Sequence, residues 1–195
     1  DSADWDFGTG DFTVDFWANG WGNAFGGGTW EDDAFLWAQV ADTNNFAGVR
    51  IRTNGDVTLM TRVGGSYTLN LDFDTVTMPL DEWFHFALVR NTSGTNRFEI
   101  YINGKLQQTI NNTTAWPDIA GAFTIGDDFY NADKEFTGFM DEFRVSKGVA
   151  RWTANFTPET TEYASDAYTK LLIHSNTTMG STTFTDSSGS PHTIT

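Results

Sequence analysis

Period-two alternation of apolar and polar residues runs through most of the chain and limits the folds it can adopt. The segment DFTVDFWA places Phe12, Val14 and Phe16 on one face of an extended strand, because successive side chains of a strand point to opposite sides. The Asn-Gly pairs at 54–55 and 103–104 each lie between two alternating runs, which is the strongest short-range signal for a β-hairpin. No segment has a convincing helical period. The sequence therefore predicts an all-β fold, a two-sheet antiparallel sandwich.

Charge and composition limit the partners of such a fold. The 195 residues carry 11 basic and 26 acidic side chains, a net charge of −15, so we expect no binding to nucleic acid, whose phosphates the protein would repel. Aromatic residues make up 15% of the chain and cysteine is absent, which favours an apolar core without disulfides. No stretch reaches the roughly 20 apolar residues of a membrane span, so we expect no membrane insertion.

The segment KEFTGFMDEFRVS, residues 134–146, carries an acidic residue where its alternation predicts the core. Asp141 stands on the same face as Phe139, Phe143 and Val145. Because burying an unpaired carboxylate is costly, Asp141 must have hydrogen bonds from backbone or turn groups, a basic partner or a metal ion. Two explanations remain open at this point: a hydrogen-bonded carboxylate, or a ligand of a structural Ca²⁺, an ion that prefers oxygen ligands.

Five segments together resemble the laminin G-like, concanavalin A-like jelly-roll modules of bacterial and phage surface proteins. They are DSADWDFGTGDFTVDFW, EWFHFALVRN, FEIYINGKLQ, FTIGDDF and GFMDEFRVSKGVARWTANFTPET, and they span nearly all of residues 1–160. The last segment is the most specific. The resemblance implies a jelly roll at an extracellular, cell or virion surface, and binding or architecture rather than catalysis. It also implies that Asp186, in TDSSG, is a candidate partner of Asp141 in holding Ca²⁺.

The C-terminal part of the chain departs from this resemblance in its order. In such modules a segment like LLLHFDG…TFTDSSG opens the domain, whereas here KLLIHSN…TFTDSSGSPHTIT closes the chain. We therefore divide the chain into a jelly-roll body at 1–160, a connector at 161–169 and a C-terminal two-strand segment at 170–195. A body without its opening strands has unpaired strand edges. The C-terminal segment can fill that gap in its own domain, in a neighbouring copy, or within a tandem array.

From this arrangement we predict a non-enzymatic extracellular structural subunit. Its C-terminal strands are donated to the next jelly roll, so that copies assemble head to tail into a filament. Leu171, Ile173 and Phe184 are the predicted anchors, since burying such a side chain contributes roughly 1.5–3 kcal/mol.

The alternative is a carbohydrate-binding adhesion module of a surface protein or phage tail fibre. Trp21 and Trp30 flank a glycine-rich loop and are candidates for stacking on sugar rings, although tryptophan also packs in cores and interfaces. Sugar hydrolysis requires two carboxylates across a cleft, and the Glu-x-Asp-x-x-Glu strand motif of the glucanases of this fold class is absent from the sequence.

Sequons for N-glycosylation occur slightly more often than chance predicts, and a glycan would fit an extracellular surface. The candidate acceptors are Asn91, Asn111, Asn112, Asn155 and Asn176.

Overall fold

The described part of the chain divides into two compact units, each built on one antiparallel sheet. The computed structural model describes residues 2–20, 34–52, 54–76, 78–127, 135–178 and 180–195. The first unit comprises residues 1–9, 20–82 and 112–138, and the second comprises residues 10–19, 83–111 and 139–195. Within the described ranges the only helix is one 3₁₀ turn, Ala3–Trp5, and no helix there is long and apolar enough to cross a membrane.

Eleven strands form the two sheets of the described residues. In chain order they are β1 (Phe12–Gly20), β2 (Ala34–Asp42), β3 (Asn45–Ile51), β4 (Val57–Val63), β5 (Ser66–Phe73), β6 (Phe84–Asn91), β7 (Arg97–Ile102), β8 (Lys105–Asn111), β9 (Ala122–Ile125), β10 (Gly138–Lys147) and β11 (Thr169–Ile173). The sheet of the first unit has the order β5-β4-β3-β2-β9, and that of the second has the order β11-β10-β1-β6-β7-β8. The prediction of two antiparallel sheets is confirmed.

Both predicted Asn-Gly hairpins are present. The turn at 54–55 joins β3 to β4, with Ile51 opposite Val57. Asn103 and Gly104 join β7 to β8 with φ angles of 50° and 71°. Two successive positive φ angles are the signature of a type I′ turn, whose twist matches that of the flanking strands.

Aromatic packing fills the core of the second unit. Strand β6 is buried along its whole length, which fits the apolar residues on both of its faces. The ring of Phe16 stacks on Phe86 and on Phe143, at centroid distances of 5.1 and 5.2 Å. The rings of Trp152 and Phe156 lie parallel at 3.9 Å. The contacts of Phe16 join β1, β6 and β10 in the core of the unit.

The C-terminal segment pairs with the protein's own sheet. Strand β11 runs antiparallel to β10, and Leu171 and Ile173 are buried there. Of the predicted second strand, residues 182–195, only an isolated bridge from Asp186 to Ile173 forms, and Phe184 remains 38% exposed. Donation of these strands to a neighbouring copy is therefore not supported, because two of its three anchors already pack within their own unit. The boundaries at 1–160, 161–169 and 170–195 stay predictions.

The alternation wrongly predicts that Phe139 belongs to the core. Phe139 is 56% exposed, whereas Phe143 and Val145 are buried as predicted. Between them, Glu142 adopts a φ of 52°, a left-handed conformation that is uncommon outside glycine. Such a residue breaks the regular alternation of a strand, so the face of Phe139 no longer coincides with the face of Phe143.

Candidate functional site

A cleft in the second unit combines aromatic rings, carboxylates and neutral polar side chains. Its volume is about 390 Å³. Residues from β1, from the approach to β6, from β10, from residues 160–162 and from the segment after β11 contribute to it. They are Trp17, Trp83, Asp141, Glu142, Thr160, Thr161, Glu162 and Asn176. Segments distant in sequence thus meet at one place because β10 lies between β11 and β1 in the sheet.

One exposed aromatic side chain lines this cleft, and a second exposed ring stacks on it. Trp83, which lines it, is 48% exposed and immediately precedes β6. Its ring lies nearly parallel to that of Phe139, with centroids 6.5 Å apart and an interplanar angle of 21°. An aromatic ring that is exposed to water lacks the favourable free energy that burial would give it. A pair of exposed rings beside a cleft therefore suggests a surface that a ligand covers.

Trp17 forms a fixed wall of the cleft. Its Nε1 donates a hydrogen bond to the backbone carbonyl of Glu159 at 3.0 Å. The edge-to-face contact with His85, at a centroid distance of 5.6 Å and an angle of 73°, holds the ring from its other side. The ring of Trp17 is therefore already held in one orientation, so less side-chain conformational entropy is lost when a ligand binds.

Glu142 connects the strands around the cleft. Its buried carboxylate accepts a hydrogen bond from the Tyr163 backbone N–H at 2.7 Å and another from His174 Nδ1 at 2.8 Å. The side chain thereby ties β10 to the connector and to the residue that follows β11. These interactions offset the left-handed backbone of Glu142, since strained conformations persist only where the surroundings over-determine them.

Asp141 is only partly buried, not in the core as its alternation predicts, and its carboxylate has hydrogen-bond partners. Its Oδ1 accepts from the backbone N–H groups of Glu142 and Ser175, at 2.8 and 3.0 Å. Asp186 is likewise satisfied within its own turn and β11: its two oxygens accept from the backbone N–H groups of Leu172, Ser188 and His192 and from the Ser188 hydroxyl.

The calcium site stays a prediction. Within the part of the chain that the structure describes, no group of three or more His, Asp or Glu side chains is placed to hold a metal ion. Asp141 and Asp186 each have a hydrogen-bond set of their own, so neither carboxylate requires an ion for its compensation.

A buried charged pair lies close to the cleft. Asp15 is fully buried and accepts two hydrogen bonds from the Arg144 guanidinium, at 3.0 and 2.9 Å. His85 Nε2 lies 3.4 Å from the same carboxylate. Burial disfavours the charged guanidinium, but the Asp15 carboxylate outweighs it and raises the pKa of Arg144. Burial also raises the pKa of the Tyr163 phenol, with a further contribution from Asp15. Without solvent access, this pair supports the wall around Trp17 rather than meeting a ligand.

The aromatic residues found at the cleft include one that the sequence analysis did not single out. Trp21 and Trp30 lie outside the described residues. Sequence reasoning missed Trp83, because it stands in EWFHFALVR, a run that is apolar on both faces. The available signal was its position directly after the Pro-Leu-Asp-Glu turn, ahead of the strand. Phe139 carried the opposite signal, since its alternation predicted burial.

The sequons differ in accessibility. Asn91, at the end of β6, is only 1% exposed, and its Oδ1 accepts hydrogen bonds from the backbone and hydroxyl of Ser93. The other four acceptors are at least partly accessible: Asn111, Asn112, Asn155 and Asn176. Asn176 lies in the cleft itself, where its amide donates to Glu162 at 2.8 Å. Glycosylation stays a prediction, with Asn91 the acceptor that would need the largest rearrangement.

Comparisons of the chain with known proteins agree with the fold described above. A laminin G-type family model, described as the concanavalin A-like lectin/glucanases superfamily, matches residues 1–153. No curated protein sequence matches the chain. Among solved structures, a Bacteroides ovatus protein provisionally described as carbohydrate-binding is 18% identical with a TM-score of 0.59, over 92% of this chain and 50% of that one.

Two further structures are similar over about three quarters of this chain. A leech intramolecular trans-sialidase is 12% identical with a TM-score of 0.54, over 74% of this chain and 22% of that one. The receptor-binding domain of botulinum neurotoxin mosaic serotype C/D is 18% identical with a TM-score of 0.50, over 76% and 34%. This chain thus spans half the length of the Bacteroides protein and less of the other two. Likeness at these identities shows the fold, and it confirms the predicted jelly-roll class.

Proposed function

The chain belongs to the laminin G type of the concanavalin A-like lectin/glucanases superfamily, and from that membership we propose that it is a non-catalytic carbohydrate-binding module of an extracellular surface protein. The observation that carries the proposal is the exposed pair Trp83 and Phe139 at the cleft of the second unit. This was the alternative in the sequence analysis, and the aromatic cleft supports it better than it supports a filament subunit.

The chemistry of the cleft suits a sugar. A pyranose has one face of C–H groups, which packs on an aromatic ring, and an edge of hydroxyl groups, which requires hydrogen-bond partners. Trp83, extended by the ring of Phe139 that stacks on it, offers the flat apolar surface. Thr160, Thr161 and Asn176 offer neutral donors and acceptors. A binding site of this kind combines mostly apolar area with a few polar groups that fix orientation.

The same cleft is poorly suited to hydrolysis. A glycosidase needs one carboxylic acid and one carboxylate that are free to reach the glycosidic bond. The carboxylate of Glu142 is held by Tyr163 N–H and by His174, and an oxygen of Asp141 is held by two backbone N–H groups. These bonds support a binding role, in which the acidic groups shape the cleft.

The test compares two exposed aromatic side chains. Trp83→Ala should weaken binding of a glycan identified on an array by about fivefold or more, since stacking of a desolvated ring is worth roughly 1 kcal/mol or more. Tyr67→Ala is the matched control, because Tyr67 is also exposed but lies on β5 of the first unit. Isothermal titration calorimetry measures both. Equal affinity in the two variants, or no glycan bound by the wild-type protein, would refute the proposal.

A further inference from the structure

We infer that the glycan taken by this cleft is uncharged, and that the cleft discriminates against sugars carrying a carboxylate or sulfate. The inference rests on the proposed function and specifies its ligand class. It follows from the charges that line the cleft, from the hydrogen bonds of two arginines in the same unit, and from the net charge of the chain.

The first argument is the sign of the lining. Three of its eight residues are acidic, namely Asp141, Glu142 and Glu162, and among these described lining residues none is Lys or Arg. Glu142 accepts a hydrogen bond from the His174 ring. Asp141 and Glu162 accept from backbone N–H groups and from an amide, and these donors carry no charge. An anionic sugar would therefore meet like charge at close range, where the effective dielectric constant is below that of water.

The second argument concerns two arginines of the same unit, Arg144 and Arg151. Proteins recognise a carboxylate or sulfate mainly through Arg, whose fork donates two parallel hydrogen bonds. Arg144 already donates both to Asp15 and is buried. Arg151 donates two to Asp166, at 3.0 Å each. Redirecting either guanidinium to a ligand would leave a protein carboxylate without its partner, a loss that the ligand contact would have to exceed.

The third argument is long-range. The net charge of −15 lowers the local concentration of anions around the protein and slows their association, most strongly at low ionic strength. A neutral oligosaccharide experiences none of this repulsion. The stacking surface of Trp83 and Phe139 is available to both kinds of ligand, so the difference in affinity between them reports charge rather than shape.

The experiment uses pairs of oligosaccharides that share a core and differ only in an added sialic acid or uronic acid, titrated into the full chain at low salt with EDTA present. We expect the neutral member to bind at least tenfold more tightly, with a gap that narrows as salt is added. Glu162→Gln should reduce this difference in affinity, because it should strengthen the binding of the charged oligosaccharide only. Asp118→Asn, an equal change of charge at an exposed residue that does not line the cleft, should leave the ratio unchanged.

Each outcome separates this inference from the proposed function. Equal or tighter binding of the charged member, abolished by Trp83→Ala, would overturn the inference and leave the carbohydrate-binding role intact. A charged member that binds better only when Ca²⁺ replaces EDTA would assign selectivity to an ion and overturn it too. If neither oligosaccharide binds, both the proposed function and the inference are refuted.

Discussion

Replacing Arg144 with methionine removes the charged partner of a carboxylate that has no access to water. Both oxygens of Asp15 accept hydrogen bonds from Arg144, and Asp15 is fully buried. Methionine preserves much of the side-chain volume, so the main effect is the uncompensated charge rather than a cavity. His85 Nε2, 3.4 Å from the carboxylate, can donate one hydrogen bond in its neutral form but then brings no charge.

The expected loss is large relative to the stability of a domain. Removing one partner of a buried ion pair costs about 3–5 kcal/mol, whereas the whole free energy of unfolding of a typical domain is about 5–15 kcal/mol. The guanidinium of Arg144 also lies 4.2 Å from the centre of the Tyr163 ring, so the loss falls toward the upper end. For a chain of this length each kcal/mol shifts the melting temperature by about 2–4 °C, which gives a decrease of about 6–20 °C.

Urea unfolding followed by tryptophan fluorescence measures the effect, with Arg52→Met as the matched control. Arg52 lies 3.9 Å from Asp72, and their side chains are 41% and 47% exposed, so its pair is worth about 0–1 kcal/mol. The double variant Asp15→Leu/Arg144→Met should regain most of the stability, because it removes the buried charge along with its partner.

Two results would refute this reasoning. If Arg144→Met were no less stable than Arg52→Met, the buried carboxylate would have another source of compensation. If the double variant were as unstable as Arg144→Met alone, the loss would come from packing rather than from charge. A thermodynamic cycle of the two single variants and the double variant separates these cases, because residues in direct contact are not additive.

Three further predictions concern the ion, assembly and pH. The predicted Ca²⁺ site requires that EDTA lower the melting temperature and that Asp141→Ala abolish this response; an unchanged melting curve contradicts it. Light scattering should find a monomer at micromolar concentration, since Leu171 packs on its own sheet, and filaments in electron micrographs would restore strand donation. The Arg151 guanidinium, bonded to Asp166, holds the pKa of that carboxyl well below its usual value. The ionised Asp166 carboxylate therefore stabilises the fold at pH values above its unfolded-state pKa near 3.9. The wild-type protein should be more stable than Asp166→Asn, by an amount that decreases as the pH falls from about 5 to about 2. A constant difference in melting temperature across that range contradicts this prediction.

The hairpins could be predicted from the sequence because their determinants are local. Asn103 and Gly104 both require positive φ angles, and these residue types tolerate that conformation where most others do not. The pairing of β11 could not be predicted in the same way. Alternation defines which face of a strand is apolar. A strand that fills a gap in its own sheet, however, needs the same sequence as a strand that fills that gap in a neighbouring copy. Only the register of Leu171 opposite Val145 in one chain distinguishes the two cases.

The cleft was beyond prediction for a different reason, which is the conformation of one residue. Strand alternation assigns Phe139 to the core, and nothing in the identity of Glu142 signals a left-handed backbone, since glutamate has no special tolerance for it. The carboxylate compensates for the conformation through Tyr163 and His174, two partners that meet it only after the connector and β11 are in place. The exposure of Phe139 beside Trp83 thus depends on non-local hydrogen bonds to a strained residue. The exposed ring of Phe139 and two of the three acidic lining residues therefore have one origin. The interruption at Glu142 separates that ring from the buried part of β10 and places the carboxylates of Asp141 and Glu142 at the point of the break.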